Sequence, residues 1–129
     1  MTRILLIRHC ESTGQAPDAP LTAHGFAQAE TLAQRLENQP IDYICCSPYL
    51  RARATIAPLA TRAGRPAHID PRLAERHLSP APIPNWRDVV RASFSDPLYK
   101  LAGGESGADT LHRGKRSAKH LLSVTDRAA

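Results

Sequence analysis

Four consecutive aliphatic residues, Ile4-Leu5-Leu6-Ile7, stand between Arg3 and Arg8 near the start of the chain. Side chains of a strand alternate between two faces, so an unbroken apolar run bounded by charge predicts a strand covered on both sides, as in a parallel sheet. Parallel neighbours need long crossovers, and the following residues supply them. Gly14, Pro17 and Pro20 mark a loop, and Thr22 is placed to cap a helix over residues 22–38, with Phe26, Ala29, Leu32, Ala33 and Leu36 at helical spacing. Residues 41–46 predict a second strand, Ser47-Pro48 the N-cap and first position of a second helix ended by Gly64, and residues 67–69 a short third strand. Strand alternating with helix predicts an α/β fold, three-layered, with a mostly parallel sheet flanked by helices. Residues 78–104, rich in proline, predict an excursion over the sheet edge with one short helix at 86–94. Residues 106–124 are expected to be helical, interrupted at Gly114. The division expected is a main domain over residues 1–110 and a basic helix or tail over 111–129.

A chain of 129 residues, 42% apolar, has material for one domain. Its longest apolar runs are far short of the ~20 residues that span a membrane, and four aliphatics after Arg3 are too few for a signal-peptide core, so the expected address is the cytoplasm. Three cysteines, Cys10, Cys45 and Cys46, fit neither a disulfide framework nor a CxxC metal pattern. The net charge is +5, but the last 19 residues hold five basic side chains against Asp126 alone, leaving the rest almost neutral. With few aromatic stacking platforms, nucleic acid is not the expected partner.

Ligands of open parallel sheets bind at the carboxyl ends of strands. Three segments fall at such ends: Arg8-His9-Cys10-Glu11, Ser47-Pro48-Tyr49-Leu50-Arg51 and Leu73-Ala74-Glu75-Arg76-His77. A neutral imidazole can attack phosphorus and carry the phosphoryl group. Guanidinium groups grip phosphate oxygens and keep their charge, and a carboxyl group can protonate the departing oxygen. The expected ligand is a small phosphorylated molecule. No metal or other cofactor is expected, because arginine charge can stabilise the phosphoryl oxygens.

Taken together, Leu6-Ile7-Arg8-His9-Cys10-Glu11-Ser12, Pro20-Leu21-Thr22-Ala23-His24-Gly25-Phe26-Ala27-Gln28-Ala29, Ser47-Pro48-Tyr49-Leu50-Arg51-Ala52-Arg53-Ala54-Thr55 and Leu73-Ala74-Glu75-Arg76 resemble the histidine phosphatase superfamily, the phosphoglycerate mutase-like proteins. The resemblance implies that His9 accepts the phosphoryl group, that Arg8 and Arg51 bind phosphate, and that Glu75 donates a proton. It also places Glu11, Ser12, Glu105 and Ser106 near the substrate, the last two within a Gly-Glu-Ser segment. The implied activity is phosphomonoester hydrolysis through phosphohistidine. Only seven residues, 14–20, separate Thr13 from Leu21, which favours a phosphatase over the alternative of a phosphoglycerate mutase. The family also carries a second active-site histidine in a His-Gly pair after a late apolar strand. His112 and His120 are not followed by glycine, and no aliphatic run like residues 4–7 follows Ser106. The expectation is therefore a C-terminally truncated member, lacking that strand and impaired in activity, with an inactive phosphate-ester-binding remnant as the alternative. A different enzyme class is suggested by Cys45-x5-Arg51, the bare pattern of a cysteine phosphatase loop. That loop contains Pro48 and no glycine to turn successive amides toward phosphate.

Overall fold

Thr22 caps the first helix as its position predicts. Its hydroxyl accepts the Gly25 amide at 3.0 Å, and the helix α1 runs over Ala23–Leu36. Two alanines on its inner face, Ala29 and Ala33, are fully buried and allow α1 to pack closely on the next helix, α2 (Leu50–Ala63). Between the two helices lies β1 (Ile44–Cys46), and after α2 comes β2 (Ala67–Ile69). β1 and β2 pair in parallel, Ile44 opposite Ala67 and Cys46 opposite Ile69, with α2 as their crossover. Gly64 ends α2 in the left-handed region at φ 63°, a conformation that suits glycine because it has no Cβ. A 3₁₀ turn (Pro71–Leu73), α3 (Trp86–Ser95) and α4 (Gly107–Ala128) complete the order. The computed structural model describes residues 2–128, and among them no helix is long and apolar enough to cross a membrane. The core is Ala33, Ile44, Cys46, Ile56 and Leu59, with Ile7, Leu36 and Ile41 packed around it.

The α/β class holds, but the sheet of the described residues has two strands. The aliphatic run of residues 3–8, expected to be a buried strand, is unpaired, and Leu6 is 93% exposed. The reason is the absence of a neighbour. A cleft of about 1290 Å³ has residues 2–9 and residues 39–47 in its walls, whereas strand pairing requires backbones about 4.8 Å apart. Only Ile7 of the run packs against the core. The second strand is shorter than the predicted residues 41–46, because the β2 ladder offers partners to only three residues.

The N-cap of the second helix lies two residues after the expected Ser47. Tyr49 takes that position, while the Ser47 hydroxyl accepts the Tyr49 amide at 3.2 Å. The Leu50 amide, at the first position of α2, donates to the Pro17 carbonyl at 2.9 Å. α4 runs unbroken through Gly114, across the expected division at residue 110. A helical glycine costs about 1 kcal/mol, but side chains on either side of it anchor the helix to the turn after β2.

One anchor is Ser117, whose buried hydroxyl donates to Asp70 at 2.7 Å. Asp70, also buried, accepts the Arg72 guanidinium at 2.8 and 3.0 Å and the Arg72 amide at 3.0 Å. These bonds, led by those from the Arg72 side chain, lower its pKa from 3.8 to about 2. Since the folded value lies below the unfolded one, the stabilisation is complete above pH 4 and disappears as pH falls through 2. The expected loss is about 2 kcal/mol. Urea unfolding at pH 6 and pH 2.5 should show a smaller acid loss in Asp70→Asn than in the parent, and equal losses would disprove this origin.

Candidate active site

Arg8, His9, Arg51 and Glu75 come from three separate segments, and all four line the same cleft. Ser47 and Tyr49 share its wall. Of the four, Arg51 is the best defined. It is the second residue of α2, 1% exposed, and its Nη1 donates to the carbonyls of Gln15 and Ala16 at 3.1 and 3.2 Å. Its guanidinium sits 4.9 Å from the centre of the Tyr49 ring. Its Nη2 is 3.9 Å from a carboxylate oxygen of Glu75, whose side chain is 56% exposed. A pair so long and so open adds little stability. It does bring a fixed positive charge and a solvent-accessible carboxyl group to one mouth of the cleft.

His9 is oriented by its own backbone. Nδ1 stands 2.8 Å from the Cys10 carbonyl oxygen, which can only accept, so the proton of the neutral ring is on Nδ1. The lone pair is thereby on Nε2, the nitrogen that a nucleophilic role requires. The backbone after His9 is tied to α2 through Thr55, which is 2% exposed. The Thr55 hydroxyl accepts the Cys10 amide at 2.8 Å and donates to the Arg51 carbonyl at 2.8 Å. One hydroxyl thus couples the histidine segment to the arginine helix. The one signal for Thr55 in the sequence is its place one turn after Arg51, which puts both on one helix face. On the opposite side, a Cβ at Gly25 would stand 2.1 Å from the Glu11 carbonyl oxygen. Glycine therefore permits α1 to approach the same segment.

The remaining expected site residues do not line the cleft. Glu11 faces α1: its carboxylate accepts the Thr22 hydroxyl at 2.8 Å and its carbonyl accepts the Thr22 amide at 3.0 Å. The Ser12 hydroxyl donates to the Gly14 carbonyl at 3.0 Å within the loop. Ser106 is buried and forms a reciprocal cap with Asp109 at the start of α4, amide to side chain in both directions at 3.0 Å. Glu105 is bonded to Arg113 by two parallel contacts of 2.7 and 2.9 Å, and these hold its carboxyl group below its ordinary pKa. Arg8 lines the cleft from the exposed N-terminal segment.

The cysteine-loop pattern finds no support in the thiols. Burial, joined by the Asp70 charge, raises the pKa of Cys45, and burial also raises that of Cys46. A thiolate nucleophile needs a shift in the opposite direction.

The histidine phosphatase superfamily (branch 1) matches residues 4–128. An adenosylcobalamin/alpha-ribazole phosphatase of Salmonella typhimurium is 35% identical over 96 residues, covering 68% of this chain and 47% of the relative. A probable phosphoglycerate mutase of Serratia proteamaculans is 36% identical over 85 residues, covering 60% and 40% respectively. Among solved structures, a mycobacterial glucosyl-3-phosphoglycerate phosphatase in complex with inorganic phosphate superposes with a TM-score of 0.75 at 27% identity, covering 89% of this chain and 60% of that one. The chain spans less than half the length of these curated relatives.

Proposed function

The chain belongs to the histidine phosphatase superfamily, branch 1, and on that premise we propose that it acts on small phosphomonoesters through a phosphohistidine at His9. The observation that carries this reading is the tautomer fixed by the Cys10 carbonyl, which directs the Nε2 lone pair away from that contact in a cleft shared with buried Arg51 and with Glu75. Nε2 attacks phosphorus and the ester P–O bond breaks. The departing oxygen takes the proton of Glu75, while Arg51 and Arg8 offset the charge on the phosphoryl oxygens. Water then attacks the phosphohistidine, the Glu75 carboxylate takes its proton, and the P–N bond breaks to release phosphate and free His9.

The leaving group tests this assignment. Glu75→Gln should slow hydrolysis of alkyl phosphates by about 10²-fold or more and of aryl phosphates by less than about threefold, because a phenolate needs little protonation. Uniform losses across both classes would remove Glu75 from the acid role.

A second reading, phosphate-ester binding with slow turnover, is favoured by the width of the cleft. Its volume, about 1290 Å³, exceeds the 300–1,000 Å³ common for small-ligand pockets. Water in such a space weakens the attraction between Arg51 and phosphate oxygens.

A further inference from the structure

Among the described residues, Glu75 has no partner that would fix its side chain. It makes a local bond, accepting the Arg76 amide at 3.2 Å, and the long contact to Arg51. Its position therefore depends on its backbone, and that backbone is held from outside the cleft. Arg113, on α4, donates from Nη1 to the carbonyls of Arg72 and Ala74 at 2.8 and 2.9 Å. The rest of the same guanidinium, Nε and Nη2, grips the Glu105 carboxylate. Glu105 in turn accepts the His77 amide at 3.0 Å, and its own amide donates to the His77 carbonyl at 2.6 Å. Its carbonyl accepts Nε of Arg76 at 3.2 Å. The connections thus reach the chain on both sides of Glu75.

We propose that the Arg113–Glu105 pair is a positioning clamp that sets the placement of Glu75 for proton transfer. This rests on the hydrolase reading given above. A lysine could not replace Arg113, since a single ammonium cannot span two carbonyls and a carboxylate in the plane of a fork. Gly104 belongs to the same device: a Cβ there would stand 2.1 Å from the Leu78 carbonyl oxygen, so the approach of Glu105 to His77 needs glycine at 104. Nothing along the chain marks the feature, because the partners of Arg113 in the turn after β2 are backbone carbonyls about 40 residues away.

The test measures phosphorylation of His9 by an alkyl and an aryl phosphomonoester in the full chain. Arg113→Met should lower the alkyl rate by at least about tenfold and the aryl rate by less than about threefold, a split that loss of general-acid placement produces and loss of fold does not. Glu105→Gln, which retains an acceptor for the His77 amide, should give the same split in milder form, and it serves should Arg113→Met fail to fold. In a Glu75→Gln background neither substitution should deepen the split, because the group being positioned is already gone. Equal losses with both esters, or full additivity with Glu75→Gln, would overturn the clamp. A parent chain that takes up no phosphate at His9 from either ester would overturn the hydrolase reading, and the clamp's role with it. A labelled parent whose Arg113 and Glu105 variants show no split would overturn the clamp alone.

Discussion

His9→Ala is expected to abolish the phosphoryl label that the parent chain acquires from a reactive phosphomonoester. The label should be stable in alkali and labile in acid, as a phosphorus–nitrogen bond is. The six histidines are at 9, 24, 68, 77, 112 and 120, and His9 alone lines the cleft that holds Arg51 and Glu75. His68 and His120 line a different and smaller hollow of about 310 Å³ beside Asp70 and Arg72. Removing a nucleophile eliminates the covalent path rather than slowing it, so labelling should fall by more than about 10³-fold. The substitution should be mild for the fold, because the bond that anchors this segment runs from the Cys10 amide to Thr55 and does not involve the imidazole. Mass spectrometry of the labelled and digested chain reads the site directly. Label retained in His9→Ala, or found on His68 or His77, would displace His9 from the role.

The parts of this molecule legible in sequence are those decided by neighbours along the chain. Thr22 as cap, Gly64 as terminator and the buried Ala29 and Ala33 of α1 follow from local spacing, whereas Phe26 of the same expected stripe is exposed. The gathering of Arg8, His9, Arg51 and Glu75 could be inferred because three segments at predicted strand ends were expected to converge. Two things were not legible. Whether residues 3–8 form a strand depends on whether another strand lies alongside, a property of the surroundings and not of Ile4 or Leu6. The supports of the site, Thr55 and Arg113, act through backbone carbonyls and amides, and any residue type can supply those partners. Sequence reading therefore names the groups that carry chemistry more readily than those that hold them in place. Glu11, Ser12, Glu105 and Ser106 illustrate the converse, since their side chains bond to Thr22, the Gly14 carbonyl, Arg113 and the Asp109 amide and do not line the cleft.

Arg51 combines both kinds of role, and Arg51→Ala is accordingly expected to weaken anion binding and stability together. Its buried guanidinium joins the loop carbonyls of Gln15 and Ala16 to the cleft wall. Truncation leaves two carbonyls without their donor, at a cost of about 1–3 kcal/mol, moderated where water from the open cleft replaces it. The proposed phosphate site also loses a guanidinium fork whose direction is fixed by those same carbonyls. Inorganic phosphate or vanadate should bind at least about tenfold more weakly, the effect of losing about 1.4 kcal/mol. Arg53 provides the internal control: it lies two residues further along α2 and is exposed, and Arg53→Ala should change affinity by less than about twofold. Arg51→Lys should recover part of the charge but not the stability, because an ammonium cannot hold two carbonyls while facing an anion. Calorimetric titration with phosphate, paired with urea unfolding of the same variants, separates the two effects. Equal loss of affinity in the Arg51 and Arg53 variants would mean that the anion is held by the charge of the whole helix and not by the guanidinium buried beside Tyr49.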